Sequence, residues 1–197
     1  MHATIAEPLL AAGLSILLIA TLAGILVLTV LNLRTPRTAA LAAAAGLLVV
    51  ATIVAAISPV DVPILVSVVI AMLGLAVAVL GGNPATRVVL GLATGGRVRE
   101  TADGGILIGA PRLHPGSEEL EPLLRGGTTI GYLERVAVSM GIIAGFPEAI
   151  AVVVAIKGIG RFSELAAAEA RERFIVGTFS SLVWAAVAGA LVRLAIW

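Results

Sequence analysis

Long apolar runs without charge constrain this chain more than any other feature. Pro8 to Leu33 holds no charged residue, and neither do Thr38 to Ile57 or Ile64 to Leu80. About 20 apolar residues at ~1.5 Å each cross the hydrocarbon of a bilayer. The first run is long enough to cross with tilt, and the next two match or approach that length. Composition points the same way: 59% of the 197 residues are apolar and 13% are charged. A soluble domain carries about a quarter charged residues, because a water-facing surface needs them. Lipid does not. In lipid the backbone must also satisfy its own hydrogen bonds, which favours helices. The sequence predicts an all-α, multi-pass protein of the cell membrane, with the bilayer itself as its first partner.

The breaks between runs give the organisation. Arg34-Thr-Pro-Arg37 ends the first run, and no lysine or arginine precedes it. A cleavable signal peptide wants a positive start and a shorter apolar stretch. The first run therefore reads as a retained helix, N-terminus outside and arginines in the cytoplasm. Ser58-Pro-Val-Asp-Val-Pro63 ends the second run, and Gly81-Gly-Asn-Pro84 closes the third. Residues 1–84 thus make three transmembrane helices. Residues 85–128 read as a polar cytoplasmic loop, either functional or disordered. Within it, Gly104 to Gly109 suggests a short strand in a hairpin with Arg97-Val-Arg99.

Residues 129–197 form a third unit. An apolar helix from Ile130 to Gly145 carries Glu134-Arg135, Phe146-Pro147-Glu148 breaks it, and Ala149 to Ile156 resumes it. A polar helical stretch, Ser163 to Arg173, precedes a final span from Phe174 to Trp197. The expected bundle has about six spans, including this short hairpin. A re-entrant hairpin is the alternative.

Charge inside a membrane is costly unless paired or hydrated, so the few such residues matter. If the arms fold back at Phe146-Pro147, Glu134 comes level with about position 159, between Lys157 and Arg161. Lys157, Arg161 and Glu164 follow i, i+4, i+7 spacing and share one helical face. The candidate buried ion-pair cluster is Glu134, Arg135, Lys157, Arg161 and Glu164, with Arg135 pointing to a different face. One reading is a lock on the hairpin, its long cations snorkelling to the headgroups. The other is a site for an anionic solute or lipid headgroup. Glu148 follows Pro147 at a helix start, where a carboxylate suits the dipole.

A second pattern is steric. Gly177, Ser181, Ala185 and Gly189 place a small residue at every fourth position of the last span, and Arg193 continues the row. Gly141 and Gly145 form another such ridge. Ridges of this kind let helices approach closely. Packing within the bundle is the first reading; a homo-oligomer or a membrane partner protein is the second.

Several chemistries drop out. There is no cysteine, which excludes thiolate metal sites and cysteine nucleophiles. His2 and His114 have no ligand-spaced partner. Of the 13 basic residues only Lys157 is lysine and the arginines are dispersed, unlike the basic face of a nucleic-acid binder. Gly126-Gly-Thr-Thr129 suits phosphate but lacks the lysine and strand of a P-loop. No nucleophile elbow or zinc-protease motif occurs. No metal, cofactor or enzymatic activity is expected.

One resemblance emerges from the last 75 or so residues. It is carried by Leu124-Arg-Gly-Gly-Thr-Thr-Ile-Gly-Tyr-Leu-Glu-Arg135, Gly145-Phe-Pro-Glu-Ala149, Lys157-Gly-Ile-Gly-Arg-Phe162 and Glu172-Arg-Phe-Ile-Val-Gly-Thr178. This set resembles a C-terminal module of uncharacterised integral membrane proteins of the actinobacterial type. It implies that the hairpin is a unit and brings no activity with it. The expected function is a non-enzymatic scaffold or accessory bundle. The alternative is a small transporter or channel-like protein with an anion site at Glu134, Lys157 and Arg161.

Overall fold

The computed structural model describes residues 3–58, 62–93, 99–100, 106–107, 127–160, 162 and 168–197. It is a helical bundle of α1 (Ala3–Leu31), α2 (Thr38–Ile57), α3 (Ile64–Ala93), α4 (Gly127–Ile143), α5 (Ala149–Gly160) and α6 (Ala168–Ile196). Four of these, α1, α2, α3 and α6, are long and apolar enough to cross a membrane. The other two are the short hairpin: α4 measures ~25 Å and α5 ~18 Å at the usual rise. Between α3 and α4, Arg99–Glu100 and Ile106–Leu107 pair antiparallel as two two-residue strands. The rest of that loop, together with Arg161 and Glu164, lies outside the described residues.

Apolar side chains cover the outside as well as the inside. Leu9, Leu65, Met72, Ile156 and Ile159 are all exposed, as a lipid-facing surface requires. Among the spanning helices α6 is the central one. Half of its most apolar stretch is buried, against 28% to 33% for α1, α2 and α3. It packs on α2, α3 and α4, whereas α5 carries no buried residue and leans on α4.

Two boundaries differ from the sequence reading. The third helix does not stop at Gly81-Gly-Asn-Pro84; it continues to Ala93 and takes in the start of the expected loop. Pro84 removes one backbone donor, which a membrane helix tolerates when neighbours re-satisfy the freed groups. Gly81 and Gly82 are contact surfaces rather than turn residues. A Cβ at Gly81 would strike the Trp184 indole, and one at Gly82 the Arg135 side chain. The second difference is in α6. It begins at Ala168, so the end of the polar stretch and the final span are one continuous helix.

Side-chain contacts fix the directions. The α1–α2 turn is closed by Asn32, whose Oδ1 accepts from Arg37 N at 2.7 Å. Arg87 Nη1 then donates to the Leu33 carbonyl at 3.0 Å, joining the end of α3 to that turn. Gly177 of α6 meets Thr86 and Leu90, while Gly74 meets Val192, so α3 and α6 run antiparallel. Arg135 reaches Ser181, Ser139 lies on Gly189, and Arg193 reaches Ile142 and Ile143. Helix α4 is therefore parallel to α6. It starts at the Arg34 end of the bundle, and the hairpin tip lies at the opposite end.

The tip is a Schellman closure. Phe146 N donates to Gly141 O at 2.7 Å and Gly145 N to Ile142 O at 3.0 Å. This motif places its penultimate residue in the left-handed region, and Gly145 has φ +81°. Arg193 of α6 donates to the Ile142 and Ile143 carbonyls at 3.4 and 3.3 Å, a cation at the negative end of the α4 dipole. At Gly141 a Cβ would lie 2.6 Å from that of Ala149, so only glycine lets α5 fold back this closely.

Candidate functional site

Glu134 and Arg135 are neighbours in sequence, and the helix turns them about 100° apart, toward different neighbours of α4. Glu134 faces α5, where Lys157 Nζ donates to its Oε2. The pair is largely shielded, with Glu134 8% and Lys157 16% exposed. The structure thus brings together Glu134 and Lys157. The positions of Arg161 and Glu164 are not described.

Arg135 takes the other direction, into the contact between α3 and α6. It is 2% exposed and is the largest fully buried side chain. Its Nε donates to the Val79 carbonyl at 2.7 Å, Nη1 to Ser181 Oγ at 2.9 Å and Nη2 to Asn83 Oδ1 at 2.9 Å. The guanidinium carbon lies 5.1 Å from the centre of the Tyr132 ring, close enough for a cation–π attraction. Every one of these partners is neutral. Among the described residues no carboxylate forms an ion pair with Arg135. Its hydrogen bonds run to dipoles of the protein, one backbone carbonyl and two polar side chains.

The expected packing residues account for this geometry. Gly177 fits against α3 at 3.6 Å from Thr86 and Leu90, and Gly189 lies at 3.1 Å from the Ser139 backbone. Ser181 supplies an acceptor to Arg135, and Ala185 is fully buried in the core. The stripe on α6 faces α3 and α4. Trp184 belongs to the same seam: its Nε1 donates to the Val77 carbonyl at 2.9 Å.

Arg135 and Lys157 both line a cavity of about 160 Å³ at the Arg34 end of the bundle. Arg87 of α3 and Arg173 of α6 complete its basic walls, and the first residues of α4, Gly127 and Thr128, contribute its floor. Four helices converge here, each bringing a cation. Among the described residues the lining contains no carboxylate. Asn83 and Val79 lie one and two helical turns from Arg87, so Arg135 is anchored ~6–12 Å inward of the α1–α2 turn.

Sequence reasoning missed Asn83, Arg87 and Arg173 as site residues. The signal was Asn83 and Arg87 at i, i+4, two polar side chains on one face of a largely apolar helix. It was hidden because Asn83-Pro84 reads as a turn.

No family model matches the chain, and no curated protein or solved structure is significantly similar to it. What the site can do is read from its own chemistry.

Proposed function

We propose that this chain is a small, transporter-like membrane protein that binds an anionic group in the cavity beside Arg135. One observation carries the reading. A buried guanidinium is held in place by neutral acceptors on α3 and α6 and lines a cavity with Arg87, Lys157 and Arg173. An ionisable group at such depth is costly and is by default a candidate functional group. Interrupted helices with polar groups at membrane depth are also what transporters use. On the positive-inside rule, Arg34, Arg37 and the arginines of residues 85–128 lie in the cytoplasm. The N-terminus is then outside, and the cavity opens on the cytoplasmic leaflet.

The second reading is a scaffold or accessory bundle. It is favoured by the Glu134–Lys157 pair, which fastens an otherwise loosely packed α5 to α4. The two readings separate in a thermal-shift screen of the purified protein with anions at matched ionic strength. A ligand that binds the folded state raises the melting temperature by mass action. Anion-dependent stabilisation that disappears in Arg173→Gln supports the binding reading. Melting that no anion shifts supports the scaffold.

A further inference from the structure

We propose that the groove between α2, α3 and α6 seats one acyl chain of an anionic phospholipid, with the headgroup against Arg37. The groove is open, holds about 540 Å³ and shares no lining residue with the cavity beside Arg135. Its origin lies in the sequence of α2. Thr38, Ala42 and Ala45 recur at i, i+4, i+7, a row of short side chains along one wall. Behind them the buried Leu41, Leu48 and Trp184 make a floor, while Val89, Phe179 and Val183 stand exposed along the sides. Protein interiors are close-packed, and a gap of this size left open to the bilayer is filled by what surrounds it.

The lining offers an occupant almost nothing polar. Ser180 Oγ already donates to the Val176 carbonyl at 2.7 Å, and Trp184 Nε1 donates to the Val77 carbonyl. The other hydroxyl, that of Thr38, stands at the Arg34 end. From Thr38 to Val49 the wall follows α2 for ~16 Å at the usual rise. That is about the depth of one leaflet, half of a ~30 Å hydrocarbon core. Length and polarity both fit a single acyl chain.

Charge at the mouth selects the headgroup. Arg37 directly precedes Thr38, and Arg34 lies in the same turn; both are exposed. Arg87 fastens this turn to α3 beside Val88, which lines the groove. Among the described residues neither Arg34 nor Arg37 forms an ion pair. Two cations therefore stand where the apolar wall ends, the complement of an amphiphile with a negative head. Basic residues at this level attract anionic lipids. A second copy docked in the same orientation would instead bring its own Arg34 and Arg37 against these.

The test uses the full chain, stripped of lipid in detergent and supplied with dioleoyl phosphatidylglycerol or dioleoyl phosphatidylcholine, which differ only in the headgroup. Native mass spectrometry counts the lipid retained, and thermal melts read its effect. One phosphatidylglycerol per chain should be held and should raise the melting temperature, with phosphatidylcholine held more weakly. Arg37→Gln should narrow that preference about fivefold, the size of one basic residue near an anionic headgroup. Ala42→Phe should fill the groove and abolish retention, and Val89→Trp does the same from α3 should the first not fold. Neither position lines the cavity beside Arg135, so a lipid held there would survive both variants, and that result would overturn the groove assignment. Equal retention of the two lipids would overturn the pairing with Arg37. Lipid-free dimers that Ala42→Phe disrupts would overturn the proposal in favour of a second copy.

Discussion

Gly82 and Arg135 share one space: a Cβ on Gly82 would overlap the aliphatic stem of the arginine. The stem cannot swing away, because the three nitrogens beyond it are bonded to Val79, Ser181 and Asn83. A missing methyl on α3 is thus the condition for a buried charge on α4. Two residues remote in sequence form one device.

Gly82→Ala should therefore cost about 1–3 kcal/mol, the range for forcing an extra group into a packed core. Gly46→Ala is the control, since nothing lies within 4 Å of a Cβ there and alanine is the better helix former. Thermal melts in detergent should show Gly82→Ala well below the parent and Gly46→Ala at or above it. Equal melting of the two variants would mean that Arg135 is not held where we describe it.

The ion pair between α4 and α5 gives a paired prediction. Removing one partner of a buried pair leaves a lone charge and costs about 3–5 kcal/mol, whereas replacing both partners is far milder. Glu134→Gln should lower stability, and adding Lys157→Met should recover most of the loss. A double variant no better than the single one would show that the two side chains are not coupled.

Arg135→Lys tests geometry rather than charge. Lysine keeps the cation but has one nitrogen for three acceptors that lie in different directions. Two of the acceptors, Val79 O and Asn83 Oδ1, belong to α3, and the third, Ser181 Oγ, belongs to α6. Leaving buried polar groups without partners costs about 1–3 kcal/mol each. The lysine variant should melt well below the parent. Equal stability would mean that a point charge suffices.

Much of the fold was legible because a bilayer imposes length and apolarity on any helix that crosses it. Thr38–Ile57 was readable to the residue, and the fold-back at Phe146-Pro147 followed from a proline in a short apolar run. Counting back from that break also set Lys157 beside Glu134. The end of α3 was not legible. Gly-Gly-Asn-Pro signals a turn in water, but in lipid the same glycines mark close helix contact and the proline is tolerated. Misplacing that end put Asn83 and Arg87 in a turn and a loop, which concealed the wall of the cavity. Arg135 could be assigned to a different face from Glu134, but its acceptors come from α3 and α6, and no local spacing encodes them.

The direction of the chain in the membrane has its own check. The protein has no cysteine, so single cysteines can be introduced without background. Thr35 is exposed at the Arg34 end and Glu148 at the hairpin tip. In intact cells an impermeant maleimide should label Glu148→Cys and spare Thr35→Cys until the cells are opened. The reverse pattern would invert the orientation and move the cavity to the outer leaflet.

The proposed binding site is the space beside Arg135, and its occupant is an anion. Anomalous diffraction from crystals soaked in tungstate, a heavy tetrahedral oxyanion, reads that directly. We expect a peak between Arg135, Arg173 and the first turn of α4, lost in Arg173→Gln. A cavity without the peak, or one filled by a carboxylate of the chain itself against Arg135, would contradict the account.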